Sequence, residues 1–149
     1  MEDLKECLNS LEDLKEYLNS KKVPLYLHET LVLGYFITKE KAYFRFAVPC
    51  YLNRIFNDDS DGSFFMIDFI AYKPELKDYE LTFIPSLLPD VISFNYKDGN
   101  YDIVLEVNGE DWNTMIFSAE KTEWIPIKKI DASEMDDMED CPYRFLQYP

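Results

Sequence analysis

The chain has 149 residues, of which 47% are hydrophobic and 16% aromatic, so it holds enough apolar material for one domain with a single core. Its 29 acidic and 15 basic residues give a formal net charge of −14, which disfavours direct binding to nucleic acid or to an anionic membrane. Four glycines, three widely spaced cysteines and one histidine provide no pattern for a phosphate-binding loop, a zinc site or a disulfide framework. We therefore expect a cytoplasmic α+β protein with reduced thiols, no cofactor and no enzymatic activity.

The first twenty residues contain a tandem decapeptide, MEDLKECLNS followed by LEDLKEYLNS. Leucines recur in it at spacings of three and four, which predicts an amphipathic helix over residues 1–20 that ends at Lys21, Lys22 and Pro24. We expect this helix to pack on a sheet. The same residues fit a short heptad pattern, so the sequence leaves a monomer and a weak homodimer open.

From Val23 onward, aromatic and β-branched residues alternate with polar ones. This period of two predicts a mainly antiparallel sheet of about six to eight strands, arranged as a meander with one buried face and one face in water. The predicted strands are 30–38, 41–48, 63–72, 79–84, 92–97, 101–107, 113–118 and 123–130.

Turn residues and prolines refine this scheme. Asp98-Gly99 and Asn108-Gly109 predict tight turns between strands, and Pro49–Phe56 predicts a short helix. Pro126 has no backbone N–H, so we expect the last strand to lie at an edge of the sheet or to contain a bulge.

An acidic segment follows the predicted sheet. Residues 131–140 contain six acids and no base, and aromatic residues follow them in 141–149. The predicted domain therefore has three parts, an N-terminal helix over 1–20, a β-rich core over 23–130 and an acidic, aromatic C-terminal segment over 131–149. The aromatic residues of this last part either return to the core or bind a partner.

One short motif resembles the calcium loop of EF-hand proteins. Counted from Asn57, oxygen ligands fall at positions 1, 3, 5 and 12, with Gly62 at position 6. The four candidate ligands are Asn57, Asp59, Asp61 and Asp68. Position 1 lacks a charge, position 12 lacks the usual glutamate, and the following residues have the pattern of a strand. These departures favour an acidic turn.

A second resemblance is broader. Residues 88–117, with DGNYDIVLE over 98–106 and NGEDW over 108–112, resemble the central strands of the SUKH superfamily. Many members of that superfamily are immunity proteins that neutralise a toxin, commonly a nuclease. The resemblance therefore implies a function as an inhibitor.

The charge balance predicts the same class of function, because an acidic surface attracts basic proteins. We expect a non-enzymatic inhibitor of a basic toxin or nucleic-acid enzyme, either an immunity protein or a virus-encoded inhibitor that presents carboxylates where phosphates would lie. An adaptor that binds through its N-terminal helix or its aromatic C-terminus is the alternative. An enzyme that uses carboxylates alone has the least support. The predicted contact residues are Asp58, Asp59, Asp61, Trp112, Glu134, Asp136, Asp137, Glu139, Asp140 and Tyr143.

Overall fold

The computed structural model describes residues 10–58, 60, 62–80, 90–107 and 111–135. Within these ranges the chain forms helices α1 (Leu11–Leu18) and α2 (Ala132–Met135) and two 3₁₀ turns, Cys50–Leu52 and Arg54–Phe56. The strands are β1 (Leu31–Ile37), β2 (Lys41–Pro49), β3 (Ser63–Tyr72), β4 (Glu75–Glu80), β5 (Asp90–Lys97), β6 (Asn100–Val107), β7 (Asp111–Ser118) and β8 (Lys121–Asp131). The predicted α+β class is confirmed.

Helix α1 covers the second decapeptide. The hydroxyl of Ser10 caps it by accepting a hydrogen bond from the backbone N–H of Asp13 at 3.2 Å. The apolar stripe places Leu14 and Leu18 in the core, while Leu11 stays 50% exposed. The prediction of one helix over 1–20 is wrong at Ser10, which is extended with φ of −132° and ψ of 160°, so the helix begins at Leu11. Residues 1–9 lie outside the described residues.

The described strands form one antiparallel sheet in the order β4-β7-β6-β5-β1-β2-β3-β8. It contains two three-stranded meanders, β1-β2-β3 and β5-β6-β7, which meet where Leu31 of β1 pairs with Asp90 of β5. The predicted simple meander is therefore incomplete, because β4 and β8 leave sequence order to extend the two ends of the sheet. Strand β4 pairs with the outer edge of β7, and β8 pairs with the outer edge of β3.

The sheet curls strongly, so that its inner face packs against itself. Strands β3 and β5 are three positions apart, which would separate them by about 14 Å in a flat sheet. The ring of Phe69 on β3 nevertheless lies 5.4 Å from Phe94 on β5 and 5.3 Å from Tyr101 on β6. Trp124 on β8 completes this aromatic core at 4.4 Å from Phe69. Curvature thus buries the aromatic residues of both meanders in one core.

Strand β8 lies at the edge of the described sheet and contains the predicted irregularity. Met66 pairs with Lys128 and the next residue, Ile67, pairs with Pro126, so Ile127 is the extra residue of a bulge. Both predicted consequences of the missing proline N–H are confirmed here.

Several local predictions agree with the structure and others need revision. Asp98 and Gly99 have φ of 54° and 84°, as the tight β5-β6 turn requires. The predicted helix over 49–56 is two separate 3₁₀ turns. Strand β4 begins at Glu75, four residues before the predicted start. The predicted turn at 108–109 and the end of the predicted strand at 84 lie outside the described residues.

The two faces of the sheet differ between its halves. On β2 and β3 both faces are largely buried, with Leu33, Ala47, Met66 and Ile130 forming a second apolar cluster on the outer face. On β5 and β6 the outer residues remain partly exposed. The expectation of one wet face is therefore met only in the second meander. In the part of the chain that the structure describes, no helix has the length and apolar character needed to cross a membrane.

Candidate partner-binding surface

The outer face of β4, β7, β6 and β5 carries a group of acidic side chains. Successive residues of a strand point to opposite faces, so the burial of Ile103 and Leu105 in the core sends Asp102 and Glu106 outward. We call the following set the acidic face: Glu75, Asp78, Asp90, Asp102 and Glu106.

Strand pairing brings acids from three strands onto this one face. Asp90 pairs with Glu106 on the next strand, at a strand spacing of about 4.8 Å. Asp102 lies opposite Ile116, which in turn lies opposite Asp78. Pairing therefore gathers carboxylates from β4, β5 and β6 on one surface, where Ile116 separates Asp102 from Asp78.

Few cations accompany this array in the described strands. Lys77 approaches Glu75, with its Nζ 3.2 Å from Oε1, but both side chains are well exposed. Lys97 lies at the far end of the hairpin, beside the turn. An exposed ion pair of this kind contributes little, so the net charge of the acidic face stays negative.

Asp90 shows how closely the carboxylates approach each other. Burial raises its pKa, the carboxylates of Glu106 and Glu29 raise it further, and His28 partly offsets them. Placing negative charge there is therefore unfavourable in the free protein. A cationic group from a partner would relieve that repulsion.

The acidic face continues past Asp90 into the segment before β1. The backbone N–H of Glu29 donates to the carbonyl of Val91 at 2.9 Å, which brings Glu29 beside Asp90. The hydroxyl of Tyr51 donates to Oε2 of Glu29 at 3.1 Å. We call Tyr26, His28, Glu29 and Tyr51 the tyrosine edge.

Two tyrosines of this edge are unusually exposed. Tyr26 and Tyr51 expose 56% and 45% of their surface. Asn53 holds Tyr26 in place, because its side-chain amide bonds to both the N–H and the carbonyl of Tyr26, at 2.8 and 3.0 Å. Exposed tyrosines on a held backbone are well suited to anchor a protein partner.

His28 and Cys50 do not form a catalytic pair in this arrangement. Nδ1 of His28 lies 3.0 Å from the carbonyl oxygen of Ile92. A carbonyl only accepts, so Nδ1 is the nitrogen that donates this hydrogen bond. The Cys50 thiol is buried, and burial raises its pKa to about 11. The thiol is protonated near neutral pH and is a poor nucleophile. Within the described ranges, moreover, no group of three or more His, Cys, Asp or Glu residues is arranged to hold a metal ion.

The predicted contact residue Asp58 is already paired. Its Oδ2 accepts a hydrogen bond from Nζ of Lys129 at 2.9 Å, and its Oδ1 accepts one from the N–H of Ser60 at 2.9 Å. The bond from Lys129 is the main reason that the pKa of Asp58 is lowered. Asp58 therefore already has a cationic partner within the chain.

The other predicted contact residues are placed only in part. Trp112 lies on β7 with its backbone opposite Glu106, in the same row as Asp90, and Glu134 lies in α2. The predicted contact residues outside the described ranges are Asp59, Asp61, Asp136, Asp137, Glu139, Asp140 and Tyr143.

The calcium-loop motif ends in a strand. Asn57 adopts a left-handed conformation with φ of 52° after the second 3₁₀ turn. Asp68, the twelfth position, is 3% exposed in β3, and its carboxylate is bound by Arg45 and Tyr43. Using Asp68 as a calcium ligand would require breaking these contacts. The turn predicted as the alternative needs no such change.

Sequence reasoning missed the acidic face although part of its signal was visible. The alternation of Asp102 and Glu106 with apolar residues marks them as members of one wet face. Asp78 and Asp90 join that face only through pairing with other strands, and Tyr51 reaches Glu29 through a tertiary hydrogen bond. A local pattern carries no information about such contacts.

Comparisons with protein-family models, with curated proteins and with solved structures find no match to this chain. The resemblance of residues 88–117 to the SUKH superfamily thus stays a prediction.

Proposed function

We propose that this chain is a non-enzymatic acidic protein that binds and inhibits a basic protein acting on nucleic acid. The observation that supports the proposal most is the acidic face, where carboxylates from β4, β5 and β6 lie on one surface. An enzyme that binds nucleic acid carries a positive surface for phosphates. A fixed array of carboxylates is complementary to such a surface, and the net charge of −14 would speed the encounter.

Affinity in such a complex would come from the tyrosine edge as well as from charge. Tyrosines are enriched among the residues that dominate binding energy, whereas charges at the rim mainly set the rate and the specificity of association. The hydroxyl of the exposed Tyr51 bonds to Glu29, so an aromatic anchor and a negative charge lie together at this edge.

An immunity protein against a nuclease toxin is one form of this proposal, and a virus-encoded inhibitor is another. The SUKH resemblance favours the first form. Residues 88–117, which carry that resemblance, include β5, β6 and β7, and hence Asp90, Asp102 and Glu106.

The adaptor alternative has weaker support where it depends on α1, whereas the aromatic C-terminus lies outside the described residues. Leu14 and Leu18, which would form the binding stripe of the helix, are buried in the core of this chain. Only Leu11 of this stripe is well exposed in α1. A partner would have to displace the helix before it could use the stripe.

Affinity capture from the native host at low and high salt tests the proposal. The expected result is recovery of a basic nucleic-acid enzyme at low salt, identified by mass spectrometry, and its loss as salt rises. Recovery of a non-basic partner that resists high salt would contradict the proposal and support an adaptor.

A further inference from the structure

The edge of β8 is a docking site for the helix α1. The side-chain amide of Asn19 bonds to the backbone of Trp124 twice: Nδ2 donates to the carbonyl at 2.8 Å, and Oδ1 accepts from the N–H at 2.8 Å. The amide thus replaces a neighbouring strand at this point of the edge. Lys15 adds an ion pair with Glu123 at 3.4 Å, and Leu14 and Leu18 enter the core.

Each of these docking residues has an identical counterpart ten positions earlier. The counterparts in the first decapeptide are Leu4, Lys5, Leu8 and Asn9. The two copies differ only at Met1 against Leu11 and at Cys7 against Tyr17. Since Leu11 is half exposed, the first difference changes little. The second matters more, because Tyr17 packs partly buried against the core.

We propose that the β8 edge accepts either decapeptide. A shift of ten residues along the chain then replaces the docked second copy with the first copy of the same chain. After the exchange, Asn9 bonds to Trp124 in place of Asn19. The second copy becomes a loop of ten residues, and the entropic cost of closing a loop grows only slowly with its length. The contact of Tyr17 with the core favours the register in which the second copy is docked.

Three variants of the full chain test the exchange by thermal unfolding. One carries Leu18→Asp and Asn19→Ala, the second carries Leu8→Asp and Asn9→Ala, and the third carries all four changes. The proposal predicts that the first variant unfolds cooperatively with a smaller decrease in Tm than the third, and that the decrease in the third exceeds the sum of the decreases in the first and second. Equal losses of Tm in the first and third variants would overturn the proposal.

Alkylation of Cys7, followed by peptide mass spectrometry, gives a second readout. After the exchange, Cys7 takes the partly buried position of Tyr17. Its alkylation rate should therefore be lower in the Leu18→Asp, Asn19→Ala variant than in the variant with all four changes, in which neither copy docks, and equal rates would count against the exchange. The molar mass by light scattering should remain that of a monomer. If the first variant keeps its stability only as a dimer, the exchange occurs between two copies of the chain. That outcome would overturn the proposal of an exchange within one chain.

Discussion

The guanidinium of Arg45 contacts the carboxylate of Asp68 on the neighbouring strand through two bonds, Nε to Oδ1 at 2.8 Å and Nη2 to Oδ2 at 3.0 Å. These residues are direct register partners of β2 and β3, and Asp68 is 3% exposed. The hydroxyl of Tyr43 donates to the same carboxylate, while burial and the negative charge of Asp68 raise the pKa of Tyr43. A charged network thus lies on the outer face of the first meander, where apolar residues surround it.

Removing one member of this network should be costly. We expect Asp68→Asn to lower the free energy of unfolding by about 3–5 kcal/mol, because Arg45 is left without its counter-ion. Urea denaturation measures the change. The double variant Arg45→Met, Asp68→Leu is the control, since it removes both charges and should be closer to the parent in stability. A loss below about 1 kcal/mol for Asp68→Asn would contradict this account of the pair.

Asp90→Asn should stabilise the protein at neutral pH. Burial, Glu106 and Glu29 raise the pKa of Asp90 above its ordinary value of 3.8 in the folded state. The raised pKa stabilises the folded protein fully below pH 3.8. This stabilisation is lost as the pH rises through the folded-state pKa of Asp90. At pH 7 the ionised carboxylate therefore opposes folding, and the neutral amide removes that penalty.

Thermal unfolding of Asp90→Asn and its parent between pH 7 and pH 4 checks this prediction. The Tm of the variant should exceed that of the parent at pH 7, and the difference should shrink on acidification. A matched Glu40→Gln variant, at an exposed position far from Asp90 in the sequence, should show no such difference. A lower Tm for Asp90→Asn at pH 7 would mean that the carboxylate makes a favourable contact.

Phe69→Ala should be among the most damaging substitutions in the core. Its ring is fully buried and contacts aromatic residues of both halves of the curled sheet, including Phe94 and Trp124. We expect a loss of about 3–5 kcal/mol in the free energy of unfolding. Urea denaturation, compared with the partly exposed position Phe64→Ala, provides the measurement. Equal losses at the two positions would contradict the central place of Phe69.

Asp58→Asn should weaken capture of the basic partner less than Asp102→Asn. Both changes remove one negative charge, but Asp58 is paired with Lys129, whereas Asp102 belongs to the acidic face. Dissociation constants measured with the captured partner separate the two. An equal loss of affinity would indicate that net charge alone governs binding.

Local patterns in the sequence predicted those parts of the fold that local chemistry controls. The Asp98-Gly99 turn, the alternation in β5 and β6 and the missing N–H of Pro126 each determine a nearby structure. The apolar spacing of the second decapeptide likewise predicted α1.

The order of the strands was not predictable in this way. Pairing of β4 with β7, and of β8 with β3, depends on which distant edges remain available after the hairpins form. The acidic face depends on the same pairing, because Asp78 and Asp90 reach it from different parts of the chain. The period-two pattern predicts that Asp102 and Glu106 point outward. It does not predict which residues of other strands lie beside them.

Replacing the carboxylates of the acidic face with amides tests whether this face binds the basic partner. The test compares Asp90→Asn, Asp102→Asn, Glu106→Gln with Glu12→Gln, Glu16→Gln, Glu40→Gln, three exposed acids elsewhere, so both triple variants have the same net charge. Affinity for the captured basic partner is measured at low salt after circular dichroism confirms that both variants are folded. If the acidic face is the contact surface, the first triple variant loses most of its affinity for the partner and the second keeps its affinity. Equal binding by the two would contradict the assignment of the acidic face as the contact surface.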